Sequence, residues 1–180
     1  NCNGITGIKQ TWGRVSRAGA FALSESLDHI GPLARSVADC AEILGIIAGH
    51  DPKDPTSLLA PVPNYRFAIE KTVDSMVVGF DEAYCSDGVE PQITKMIFEA
   101  VQVLQEQGVK IQPVTVPVME ELVTGWEKFC GVETAIFHEE FYPVRKEKYG
   151  PVLAGLIEIG RNTTGMEYAK LQIARQKYAG

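Results

Sequence analysis

The chain has 180 residues, 45% of them hydrophobic and 22% charged, with 23 Asp and Glu against 17 Lys and Arg for a formal net charge of −6. This is enough apolar material for a real core, which excludes a disordered chain, and the negative balance disfavours unspecific attraction to nucleic acid or to anionic lipid. With no run of about 18 apolar residues and no secretion signal in Asn1-Cys2-Asn3-Gly4, the expectation is a soluble, cytoplasmic protein that partners neither nucleic acid nor membrane.

From the N-terminus, a basic turn and a run of small residues lead into SLDHIGP. Pro32 suits a first helical position, and Leu33, Val37, Ala41, Leu44 and Ile47 follow at helical spacing, predicting a helix over 32–48 that Gly49 stops. The stretch HDPKDPTSLLAPVPNY, rich in Pro, Asp and Ser, predicts a surface loop over 50–65. Ser75 to Phe80 is a short β-branched apolar run of the kind found in strands buried on both faces. Pro91 opens a helix whose stripe is Ile93, Met96, Ile97, Ala100, Val101 and Leu104, and Gly108 ends it. Val109, Ile111, Val114 and Val116 supply a second strand, so the unit predicts parallel pairing with a right-handed crossover.

A long helical pattern runs from Val118 to about Phe141, with Leu122, Trp126, Phe129, Cys130, Phe137 and Phe141 near one face. Glu133 interrupts that stripe. Two readings stand beside each other: an edge carboxylate whose head reaches water or a nearby donor, or a residue lining a ligand pocket. After the charged stretch 145–148, a solvated face or loop, Gly150-Pro151 reads as a break, and a final helix is expected from Thr163 or Thr164 with Glu167 as capping-box partner. Cys2, Cys40, Cys85 and Cys130 form no CxxC pair, and His29, His50 and His138 share no ligand spacing, so free thiols and no metal site are expected.

The run NGITGIKQTWGRVSRAG, followed by SESLDHIGPLARSVADCAEILGIIAGHDPKDPTS, closely resembles the segment after the nucleophile in the amidase signature family, whose pattern is roughly GxKPTxGRVSxxG and then SLDxxGPxxRxxxDxAxxLxxxxGxDxxDxT. The later GMEYAKLQIARQKYAG is similar to that family's GxxxxAxxYxxAxxxR order. Gln10 stands where the family usually has proline, which alters a local turn more than any chemistry, and Trp12 stands for a common tyrosine.

The resemblance implies an α/β fold, part of a mixed β-sheet flanked by helices and incomplete in this chain, with residues 1–180 forming a single partial domain. It implies an amidase that attacks the amide of a small-molecule substrate through a serine, relayed by a second serine to a lysine whose amine is neutral, with no cofactor and no metal. Those three catalytic groups belong upstream, in an earlier lysine and a GGSSGGS-type stretch, so this chain is expected to hold no catalytic residue and to be inactive as a fragment. Trp126, Cys130 and Tyr168 are the candidates for substrate contact; Lys9, Arg14 and Asp28 are the candidates for active-site support. Open apolar faces would favour a homo-oligomer or the missing remainder of a parent chain as partner. Two alternatives remain: a protein resembling the A subunit of glutamine-dependent tRNA amidotransferases, and a non-catalytic amidase-like binding module.

Overall fold

The computed structural model describes residues 3–179. Cys2 lies outside them, and Cys40, Cys85 and Cys130 are free thiols. Contacts divide the chain into two compact units, one made of the residues up to Arg66 with those from Met119 onward, the other Phe67–Val118.

In the first unit β1 (Thr6–Gly7) pairs antiparallel with β2 (Leu33–Ala34), Thr6 facing Ala34 and Gly7 facing Leu33. This pairing corrects the expected helix start at Pro32. The Pro32 carbonyl accepts from the Ile8 N–H at 3.2 Å, so the residues after it are spent on a ladder and cannot coil. Helix α1 therefore begins at Val37 and runs to Ile47; Ser36 is extended and its hydroxyl accepts from the Asp39 N–H at 3.1 Å. Cys40, Ala41 and Leu44 form its buried face, and Gly49, at φ +136°, turns the chain away. Residues 50–64 carry no helix or strand, yet Asp54 and Ser57 within them are buried. A short helix α2 (Tyr65–Ile69) follows.

The second unit is a compact strand–helix–strand arrangement. β3 (Val77–Phe80) leads to a one-turn helix α3 (Glu82–Ser86) capped by Asp81, then to α4 (Pro91–Glu106) and β4 (Lys110–Pro113). β3 and β4 pair in parallel with Val78 opposite Ile111, as the spacing predicts. β3 is not buried on both faces as expected: its residues alternate between exposed and half-covered, because β4 is its only strand partner among the described residues. Phe80 meets Phe98 edge-on at 5.4 Å, and Asp81 both caps α3 and accepts from the Val116 N–H at 2.7 Å.

The remaining residues of the first unit form three α-helices, α5 (Glu120–Phe137), α6 (Pro151–Asn162) and α7 (Gly165–Ala179), with one 3-10 turn at Lys146–Lys148. α6 departs from expectation: Gly150-Pro151 reads as a break, but proline at the first helical position starts the helix, since its missing N–H would have no partner there. Thr164 and Glu167 close the expected capping box at the start of α7, with the Thr164 N–H 2.9 Å from Glu167 Oε2 and the Glu167 N–H 3.2 Å from Thr164 Oγ1. α5 and α6 cross with backbone against backbone, since a Cβ built on Gly160 would collide with the Gly131 carbonyl oxygen. Among the described residues no helix is long and apolar enough to cross a membrane.

The crossing makes a sharp contrast testable within one helix. Gly160→Ala is expected to cost about 3 kcal/mol or more in urea unfolding, because neither backbone can retreat without the other. Gly155→Ala, where the added methyl meets nothing within 4 Å, is expected to be neutral or to stabilise by up to about 1 kcal/mol.

Candidate functional site

Two polar knots hold the connector between β1 and α1. The first is centred on Arg17, whose side chain is buried although its charge would favour water. Its guanidinium donates to the Glu25 carbonyl and, at 2.6 Å, to Thr56 Oγ1; it pairs with the Glu25 carboxylate at 3.2 Å and lies 4.7 Å over the Trp12 ring. Its own backbone N–H donates to Asp54 at 2.8 Å. The Thr56 hydroxyl, the Arg17 N–H, the Thr56 N–H and the Arg17 charge together overcome burial and hold the Asp54 carboxyl at a pKa of about 2.

The second knot is centred on Glu133, 6% exposed on α5. Ser24 Oγ and the Ser26 N–H each donate to Oε2 at 2.8 Å, and Ser26 Oγ and the Tyr168 hydroxyl each donate to Oε1 at 2.6 Å. Among the described residues no basic group pairs directly with this carboxylate. Arg175 instead reaches it through Ser26, donating to Ser26 Oγ at 3.2 Å and to the Ser26 carbonyl at 3.0 Å. Burial opposes the charge on Glu133, but the Ser26, Tyr168 and Ser24 donors outweigh it and hold its pKa below the usual range. Next to it, the Thr134 hydroxyl is 2.8 Å from the Leu23 carbonyl, and the Asp28 carboxylate accepts from the Leu23 N–H at 2.8 Å and the Ser24 N–H at 3.2 Å. Residues 23–28 are thus a turn closed by its own aspartate and nailed to α5 and α7.

The candidate residues fall into three places. Tyr168 and Cys130 belong to the second knot: Tyr168 stacks on Phe129 at 5.4 Å, its hydroxyl also accepting from Gln172 at 2.6 Å, and Cys130 is a buried thiol whose pKa is pushed up by burial and by the nearby Glu133 and Asp28 charges. Trp126, by contrast, is 55% exposed. Asp28 and Lys9 line an open groove of about 480 Å³ together with His29, and Lys9 Nζ stands 3.5 Å from His29 Nε2. Arg14 lies apart, donating to the carbonyls of Ala60 at 2.9 Å and Pro61 at 3.2 Å. Ser24, Ser26 and Arg175 are not among the substrate-contact or support candidates that the sequence offers. The signal that points toward them is Glu133 itself, a carboxylate set in an apolar stripe.

Solved structures with this architecture are amidase signature enzymes. The native peptide amidase from Stenotrophomonas maltophilia superposes with a TM-score of 0.77, at 25% identity, over 99% of this chain and 41% of that one. The family model for Amidase matches residues 1–179, and the chain belongs to the amidase family. It is 37% identical over 182 residues to AmiD of Mycobacterium tuberculosis, designated a putative amidase, which covers 97% of this chain and 36% of that protein. It is 44% identical over 114 residues to the A subunit of the glutamyl-tRNA(Gln) amidotransferase of Gloeobacter violaceus, covering 63% of this chain and 23% of that one. The chain therefore spans little more than a third of the length of AmiD.

The first knot makes a prediction about acid. Asp54 binds its proton more weakly folded than unfolded, so its contribution to stability is present above about pH 4 and is lost as pH falls toward 2. Urea titrations across that window are expected to show a shallower loss of stability for Asp54→Asn than for the wild type; equal slopes would remove Asp54 from the account.

Proposed function

We propose that this chain is part of an amidase that hydrolyses a carbon–nitrogen amide bond of a small-molecule substrate, forming an acyl-enzyme on a serine that lies outside these 180 residues. The observation that carries this reading is the family match along residues 1–179, supported by 37% identity to AmiD across 97% of the chain. In the reaction the serine oxygen bonds to the carbonyl carbon while its proton passes through a second serine to a neutral lysine amine. The C–N bond then breaks, the amine departs with that proton, and water hydrolyses the ester to regenerate the serine. Neither a metal nor an organic cofactor enters.

Within this reading Trp126, Cys130 and Tyr168 stand on the substrate side and Lys9, Arg14 and Asp28 support the active site. The exposed ring of Trp126 favours an apolar contact, whereas the raised pKa of Cys130 keeps it a neutral thiol suited to packing and not to attack. The cytoplasm as location, and a second copy or the remainder of the parent chain as covering partner, belong to the same proposal.

A second reading is favoured by the 44% identity over 114 residues to the A subunit of an amidotransferase. Such a protein would release ammonia from glutamine for a tRNA-bound substrate and would need partner proteins.

Ammonia release from a panel of carboxamides separates these readings. The isolated 180-residue chain is expected to release none, and the full-length protein to release ammonia from simple carboxamides without partners. Glutamine-only activity that appears with co-purified partner proteins would favour the second reading. A full-length protein inert under both conditions would leave a non-catalytic binding module.

A further inference from the structure

We propose that Glu133 is a positioning residue: its ionised carboxylate holds the Ser24–Asp28 turn in the shape that presents Asp28 and His29 to the groove they line with Lys9. The kinetic consequence rests on the amidase reading; the positioning itself does not.

The geometry runs in one direction. Every hydrogen-bonding contact of the carboxylate goes either to the turn, through Ser24 and Ser26, or to the helix behind it, through Tyr168. The far end of that same turn is groove wall, where Leu27, Asp28 and His29 face Gly7 and Lys9. His29 Nδ1 lies 2.6 Å from the Leu27 carbonyl, which can only accept, so that nitrogen donates, and Nε2 faces Lys9 Nζ at 3.5 Å. Only a short length of turn therefore separates a buried carboxylate from the polar wall of an open groove. Protonated Glu133 loses the charge that strengthens all four bonds, and the Ser26 N–H, which can only donate, is left on a weaker acceptor, so the anchors of the turn weaken together.

The other charged or titratable groups of this knot are Tyr168 on α7, which donates to the carboxylate, Arg175 on α7, which reaches it through Ser26, and Cys130 on α5, which feels the Glu133 and Asp28 charges; Glu25, on the same turn, pairs with Arg17 instead. Burial and Glu133 push the pKa values of Cys130 and Tyr168 up.

Two measurements on the full-length protein test this. In kcat/KM against pH for a carboxamide, Glu133→Gln is expected to lose about 100-fold at neutral pH, the scale of a displacement near 1 Å. With hydrogen exchange followed against pH, Ser24→Ala is expected to lose protection of the Ser26 N–H at a higher pH than the wild type, because a lost donor lets the carboxyl protonate sooner. In amide hydrogen exchange, the Ser26 N–H is expected to exchange about tenfold faster in Glu133→Gln, while the β3 and β4 amides keep their wild-type rates. Loss of Ser26 protection at an unmoved pH in Ser24→Ala marks a merely structural role and overturns the proposal, as does unchanged Ser26 exchange in Glu133→Gln. Should the wild-type protein turn over no carboxamide, the amidase reading fails instead, and the exchange result alone decides the positioning.

Discussion

Glu133 leaves water only because four donors replace the water it gives up, and three of them come from residues 107 to 109 positions earlier in the chain. A lone buried carboxylate is among the costliest groups a protein interior can hold. Its satisfaction therefore dictates where the Ser24–Asp28 turn must lie, which face of α7 must turn inward, and why Arg175 ends on Ser26 instead of in solvent. Removing either serine, or the tyrosine, would leave the charge under-solvated, so these residues depend on one another as a set.

The rest of the first unit supplies the rigidity that such a knot demands. Arg17 and Asp54 tie the start of the same connector to residues 54–57, and β1–β2 fixes its two ends. On the helical side, the approach of α5 and α6 through Gly131 and Gly160 leaves no room for a side chain between them, which sets where Glu133 and Thr134 stand along α5. Loosening any of these supports would move donors that must remain within hydrogen-bond distance of one carboxylate.

Membership of the amidase family gives this arrangement a setting. Its visible parts are an aspartate-closed turn, a groove with a lysine amine beside an imidazole, and an exposed tryptophan on the same helix as the buried carboxylate. Tyr168 illustrates the distinction between contact and support. Its hydroxyl donates to Glu133 and accepts from Gln172, so its polar end is already engaged within the protein and only its ring remains for another partner.

Local periodicity and spacing were legible wherever the deciding interactions lie within a few residues. The stripe of α4 between Pro91 and Gly108, the parallel pair β3–β4, the Thr164–Glu167 capping box and the stop at Gly49 are all short-range choices of backbone conformation and hydrogen bonding. The family, too, was legible, because GRVSRAG and SLDHIGP carry many fixed positions in order. What only the folded chain decided was every outcome that needed a distant partner. Leu33 and Ala34 forsook the helix because Thr6 and Gly7 offered a ladder. Glu133 went inward because Ser24, Ser26 and Tyr168 surround it, and α6 lies where α5 offers it a glycine surface. Helical spacing reports which residues share a face; it contains no information about what that face will meet, and for a buried charge the identity of the neighbour is the whole of the energy.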